Sequence, residues 1–379
     1  MTRWRGLLAG LVTVCSVASA ERTSARRAAF LGDAAPTTAR GATSRTALTR
    51  ELPSAPREAL RVSLGARPAD GAVVTKERVV VAAGRELCSI DPRSAEVRRV
   101  DLGEQAAHAP VLDARGRAWT LTTRGVLVIV DADGAIVTRR ALPTHAPKLR
   151  AAPTLLGGAL VVAAGQELLV IDEQGHTRAQ ATLPDAPSIA LSSDGARVFA
   201  ATDLGRVFSW DIGRAPVELP RLGGLPTSAI TLTSAGPALV VDGARLVRLG
   251  AHAPTWTTLL RTDAGLLEGP IAASDDECVV ETTTGTLLGA KLDGAPTRRV
   301  DLPSPRAAHP ESIGGVGPGP VLDASGRVVF VRGSGELGVV EGGAVTLADK
   351  PSCRAPIGLS ASSAGVFVTC ADGELVGYR

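Results

Sequence analysis

The feature that most constrains this chain is a period. A glycine opens an apolar strand at Gly84, Gly125, Gly165, Gly205, Gly243, Gly285, Gly335 and Gly373, at spacings of 41, 40, 40, 38, 42, 50 and 38 residues. The stretch "GQELLVIDEQGH" (165–176) shows the unit: glycine, apolar run, aspartate, then a turn glycine. A second apolar strand precedes each glycine, as in "ALVVAAG" and "RVFAATDLG". Before most of those lies a short strand opened by Ala-Pro or Gly-Pro, as at 109, 152, 269, 319 and 355, and a polar strand such as "AEVRRVDL" follows. Four antiparallel strands repeated about every 40 residues are the blades of a β-propeller. Strand one sits at the crowded axis and takes small residues and proline. Strands two and three are covered on both faces and are continuously apolar. Strand four is the outer edge, where Arg and Asp discourage pairing with other molecules.

The spacing predicts an all-β, eight-bladed propeller over residues 58–379. The last blade ends at strand three, "GELVGYR", and "EALRVSL" (58–64) matches the outer-strand pattern. The ring is therefore expected to close by pairing this N-terminal strand with the C-terminal blade. The 50-residue spacing holds the sizeable insertion "PSPRAAHPESIGGVG" (303–317), whose Arg306, His309 and Glu311 make it the candidate partner loop.

Charge divides the chain unevenly. The net +3 is the sum of +6 over residues 1–57 (nine Arg, three acids) and −3 over the remainder (32 basic, 35 acidic). A nucleic-acid binder concentrates positive charge on its folded part, so nucleic acid is set aside as a partner. Residues 1–20 read as a signal peptide. Arg3 and Arg5 precede an apolar run from Gly6 to Val17, and Ala18-Ser19-Ala20 supplies the small-x-small cleavage pattern. The alternative is lipoprotein processing at Cys15, with the bulky Val14 before it. Either way the protein is expected to be exported, periplasmic or secreted, with no transmembrane segment after processing. Residues 21–57 have no apolar period, are rich in Ala, Thr, Arg and Pro, and are expected to be a disordered leader.

The "G-x-L-x-x-x-D-x-x-G" elements, with Gly165, Leu168, Asp172 and Gly175 and near copies at Asp91, Asp131 and Asp293, make residues 58–379 resemble the PQQ-like propeller superfamily. In style the chain is similar to the quinoprotein dehydrogenase propellers and to the outer-membrane assembly lipoprotein B. The family pattern usually puts a Trp four residues after the turn glycine, where this chain has Ala179 and Thr138. Quinone binding in that superfamily goes with a vicinal Cys pair, a stacking Trp and a calcium-binding carboxylate cluster. No two Cys are adjacent here, and Trp119, Trp210 and Trp256 fall on different strand types. No cofactor is expected.

Other motifs have simpler readings. "GSGELG" (333–338) matches a dinucleotide fingerprint, but a repeat strand follows it where a helix is required. "DADG" (131–134) lacks the later acidic ligands of a calcium loop. "SDDE" (274–277) reads as a loop between two strands. His108, His145 and His252 each begin "HAP" but sit at different places in their blades, so they do not converge on one metal. No G-x-S-x-G elbow marks a nucleophile. Cys88 and Cys278 fall in non-neighbouring blades and are expected to be reduced and buried. Cys353 and Cys370 belong to one hairpin of the last blade and form the candidate disulfide.

These readings lead to a non-catalytic, extracytoplasmic propeller, a monomer that presents a rigid disc to an envelope or extracellular protein. Two alternatives stay open: a hydrolase or lactonase-type enzyme with a loop-built site, and a carbohydrate or cell-wall binder. The second would want exposed aromatics, and aromatics are 3% of the chain.

Overall fold

A computed structural model describes residues 37–38, 41–42, 47–142, 149–250, 254–263, 265–303 and 318–379. The signal-peptide reading falls on residues outside this set. All regular elements among the described residues are strands, and they form eight antiparallel blades. Blades one to seven follow chain order from Val73–Val74 to Ala344–Leu347, each with four antiparallel strands from a contiguous stretch, and the sheets of blades two and seven accept further short strands from the N-terminal side. Among the described residues no helix is long and apolar enough to cross a membrane.

The two-residue period of a strand explains how the blades stack. In blade three the strand Glu167–Ile171 sends alternate side chains to opposite neighbours. Leu169 and Ile171 pack with Trp119, Leu121 and Ile129 of blade two. Leu168 and Val170 pack with Val198, Phe208 and Trp210 of blade four. Both faces are covered, so the run is continuously apolar where a one-sided sheet would alternate. The outer strand Thr177–Thr182 has only one covered edge and contains no buried residue.

The turns follow from aspartate and glycine chemistry. Asp172 Oδ1 accepts the main-chain N–H groups of Gln174 (2.9 Å) and His176 (2.8 Å). Gly175 sits at φ +77°, a left-handed conformation that a side chain would strain. "DADG" is such a turn too, with Asp131 Oδ1 accepting from Asp133 and Ala135. "GSGELG" runs from a turn directly into the strand Leu337–Glu341.

Blade eight combines the two ends of the described chain. Pro356–Ser362, Gly365–Cys370 and Glu374–Tyr378 are completed by Glu58–Ser63, which pairs antiparallel with Val62 opposite Leu375 and Leu60 opposite Gly377. Arg57 and Arg379 exchange two main-chain hydrogen bonds of 3.0 Å, and Arg61 bridges to Glu374 (2.6 Å).

The boundary of the leader differs from the composition-based expectation. Residues 47–57 are ordered against the ring. Leu48–Thr49 pairs in parallel with Val321–Asp323, the innermost strand of blade seven, and Leu48 and Leu52 are buried in its core. The backbone at Thr37–Thr38 adds to the innermost strand of blade two. The partners of this stretch are distant strand edges, so local composition does not report them. Two leucines four residues apart supply the apolar surface that the average composition of 21–57 conceals.

Candidate functional site

Two surface features stand out, one at each end of the blades. The first is an open cleft of about 590 Å³ between blades two and three, lined by turns 113–117, 157–159 and 172–178. Arg117 joins its two sides, donating from Nε to Asp113 (2.7 Å) and from Nη1 to Glu173 (2.7 Å). Trp119 Nε1 also donates to Asp113 (3.0 Å), and Arg178 donates to Asp172 (2.6 Å). Burial by itself would raise the Asp113 carboxyl. The donors from Trp119 and Arg117 outweigh it and hold the group below the ordinary carboxylate range. At Asp172, too, burial is overcome, here by the His176 amide and Arg178, and the Arg117 hydrogen bond lowers Glu173. These three carboxylates are ionised at neutral pH and engaged with arginine or amide donors. Their arrangement braces two blades and keeps none of the three protonated for use as a general acid.

The second feature lies at the opposite end, where strands two and three turn. Leu204 (66% exposed) lies in that turn of blade four, and Leu225 (52%) and Leu266 (55%) lie in the links that enter blades five and six at the same end. Their connections adjoin one another across blades four to six. Leu204 stands beside Gly205, and Leu225 lies over that glycine. The Leu225 N–H donates to Asp242 Oδ1 (2.7 Å), in the turn of blade five. Leu266 lies against Gly243 of that turn and exchanges hydrogen bonds with Thr283 of blade six. Three exposed leucines across three consecutive blades make a patch, where single ones need no explanation. Nothing along the chain marks these three leucines as one surface. The one local signal is Leu204, which precedes Gly205 where Arg124 and Ser334 precede Gly125 and Gly335; Leu225 and Leu266 lie in inter-blade links.

The residues singled out from sequence are placed as follows. Cys353 and Cys370 are joined by a disulfide, with Cα atoms 6.1 Å apart. Cys88 and Cys278 are free and buried, and burial pushes their thiols up to about 11 and about 12. Arg306, His309 and Glu311 lie outside the described residues, as do His145 and His252. His108 is buried, with Nε2 2.9 Å from the Leu149 carbonyl, whereas His176 sits in an exposed turn beside Arg140. Glu277 of "SDDE" pairs with Arg298 (2.5 Å). Among the described residues one group of three His, Cys or acidic side chains is close enough to share a metal: Cys353, Cys370 and Asp372. Its two sulfurs are bonded to each other, and a disulfide is not a thiolate ligand.

No family model matches the chain, and no curated protein matches it in sequence. Solved structures do. The crystal structure of BamB from Moraxella catarrhalis is similar at 15% identity and TM-score 0.65, over 85% of this chain and 97% of that one. The computationally designed Ika8 protein is similar at 15% identity and TM-score 0.65, over 88% of this chain and 99% of that one. Likeness at this identity carries the fold alone, the eight-bladed β-propeller that the sheet order shows.

Proposed function

We propose that the protein is an exported, non-catalytic propeller that acts as a monomeric scaffold for a partner protein in the cell envelope. The observation that carries this reading is the row Leu204, Leu225 and Leu266, an apolar strip on a rigid disc. The linker after blade six leaves the same end of the ring, because the Leu302 N–H donates to Gly285 in the turn between strands two and three. Arg306, His309 and Glu311, which lie outside the described residues, are kept as the candidate partner loop. The likeness to BamB supports an envelope setting. The signal-peptide pattern of residues 1–20 supports export, and the Cys353–Cys370 disulfide suits an oxidising compartment.

Capture from cell-envelope extract tests the reading. The wild-type protein is expected to retain a specific partner, and the triple variant Leu204→Asp/Leu225→Asp/Leu266→Asp is expected to lose it. The melting temperature should stay within about 2 °C, since exposed substitutions seldom change stability by more than about 0.5 kcal/mol. Replacing 304–317 by a short Gly-Ser link should weaken capture further. An unchanged partner in the triple variant, or none with the wild type, defeats the proposal.

A further inference from the structure

Blades two and seven carry the same turn between strands one and two. It reads Asp113-Ala114-Arg115-Gly116-Arg117 in one and Asp323-Ala324-Ser325-Gly326-Arg327 in the other. In both, Oδ1 of the aspartate accepts the main-chain N–H groups two and four residues on. The second oxygen differs. In blade two, Asp113 Oδ2 accepts from the indole of Trp119. The residue in that position in blade seven is Val329, which has no side-chain donor. Asp323 is 1% exposed, and a carboxylate oxygen this deeply buried needs a donor.

The donor comes from another part of the chain. The main-chain N–H of Leu52 donates to Asp323 Oδ2 (3.1 Å), and Arg327 Nη1 donates to the Leu52 carbonyl (2.7 Å). Both polar groups of a single peptide residue are thus held by side chains of opposite charge. Four residues earlier, Leu48 pairs in parallel with Leu322, and the Leu322 N–H donates to the Ala47 carbonyl (3.0 Å). Both leucine side chains enter the core with Leu322, Phe330 and Leu359. Main-chain bonds along a strand edge, with pockets for spaced side chains, are how sheets recognise extended peptides.

We infer that the inner edge of Val321–Asp323, together with Asp323 and Arg327, is a peptide-binding clamp for a Leu-Thr-x-x-Leu segment, which this chain fills with its own residues 47–52 as a removable intramolecular ligand. The strand it forms is only Leu48–Thr49, so it opens at lower cost than the blade behind it. The clamp lies at the axis of the ring and is separate from the leucine row, so it stands apart from the partner reading.

The test supplies the segment in trans. A labelled peptide of residues 47–57 is added to the full chain and to the full-chain variant Leu48→Asp/Leu52→Asp, whose own segment cannot occupy the core. Saturable binding to the variant, at least about tenfold tighter than to the wild type and lost on adding Arg327→Ala, is expected. Equal binding to both chains, or none to a variant that still melts cooperatively, overturns the inference. Hydrogen exchange on the wild-type chain gives an answer independent of the variant's folding. The Leu52 amide should exchange at least about tenfold slower than in the free peptide, and at least about tenfold faster than the ladder amides of Val328–Val331. A Leu52 rate equal to the free peptide shows no clamp, and one equal to the ladder amides shows an integral strand. Either overturns the inference.

Discussion

Blade three and blade eight contain the same four strands and are held together differently. Blade three is contiguous from Thr154 to Thr182, and its outer strand contains no buried residue. Blade eight takes its outer strand from the other end of the described chain, and Arg61 meets Glu374 across 313 residues. That strand buries Leu60 and Val62, and Arg61 ties it to the Ser352 carbonyl (2.9 Å) as well as to Glu374. A strand tethered by a short turn has already lost most of its freedom, so weak edge contacts hold it. A strand arriving from far away must offset a larger loop-closure entropy with buried side chains.

The largest effect should come from attacking that difference directly. Leu60→Asp places a charge in the closing blade and should cost about 4 kcal/mol in urea unfolding, whereas Ala181→Asp in the outer strand of blade three should cost under about 1 kcal/mol. Equal losses would show that closure is no weaker than a local hairpin. Removing the bridge with Cys353→Ser/Cys370→Ser comes next. The bond closes a span of 17 residues, and its loss should cost about 3 kcal/mol as a shift of the urea midpoint at unchanged slope. In the same samples, Cys88 and Cys278 should react with a thiol reagent only after unfolding, because both are buried.

The brace between blades two and three makes a smaller, pH-dependent contribution. Asp113 is depressed below its ordinary value of 3.8 in the folded state. Its stabilisation is therefore complete above about pH 5 and fades as pH falls through the native value. Asp113→Asn should cost about 2 kcal/mol at pH 7, and the gap from wild type should narrow steadily in acid melts below pH 4. A gap independent of pH would assign the cost to packing around Trp119. The smallest effect is expected from Thr177→Ala at the outer edge of blade three, within about 0.5 kcal/mol.

How far the sequence could be read varied from place to place. The run 167–171 and the turn at Asp172 are legible because they depend on neighbours along the chain: an apolar strand, then an aspartate that bonds amides two and four residues on. The closing strand was legible for a related reason, since a repeat with one missing member states what must fill the gap. The leucine row was not. Leu204, Leu225 and Leu266 are ordinary residues in three separate connections, and only the ring brings them side by side.

The period of glycines, the alternation of buried strands and the unfinished last repeat determined the eight-bladed ring, because each reflects contacts repeated within about 40 residues of chain. Tertiary structure alone decided where the N-terminal segment goes. Residues 47–52 read as part of a polar leader, yet Asp323 lacks the indole that its counterpart Asp113 has, and the Leu52 amide takes that place. The vacancy and its occupant lie 271 residues apart, and no local pattern of charge or hydrophobicity links two groups that meet only when the ring has closed.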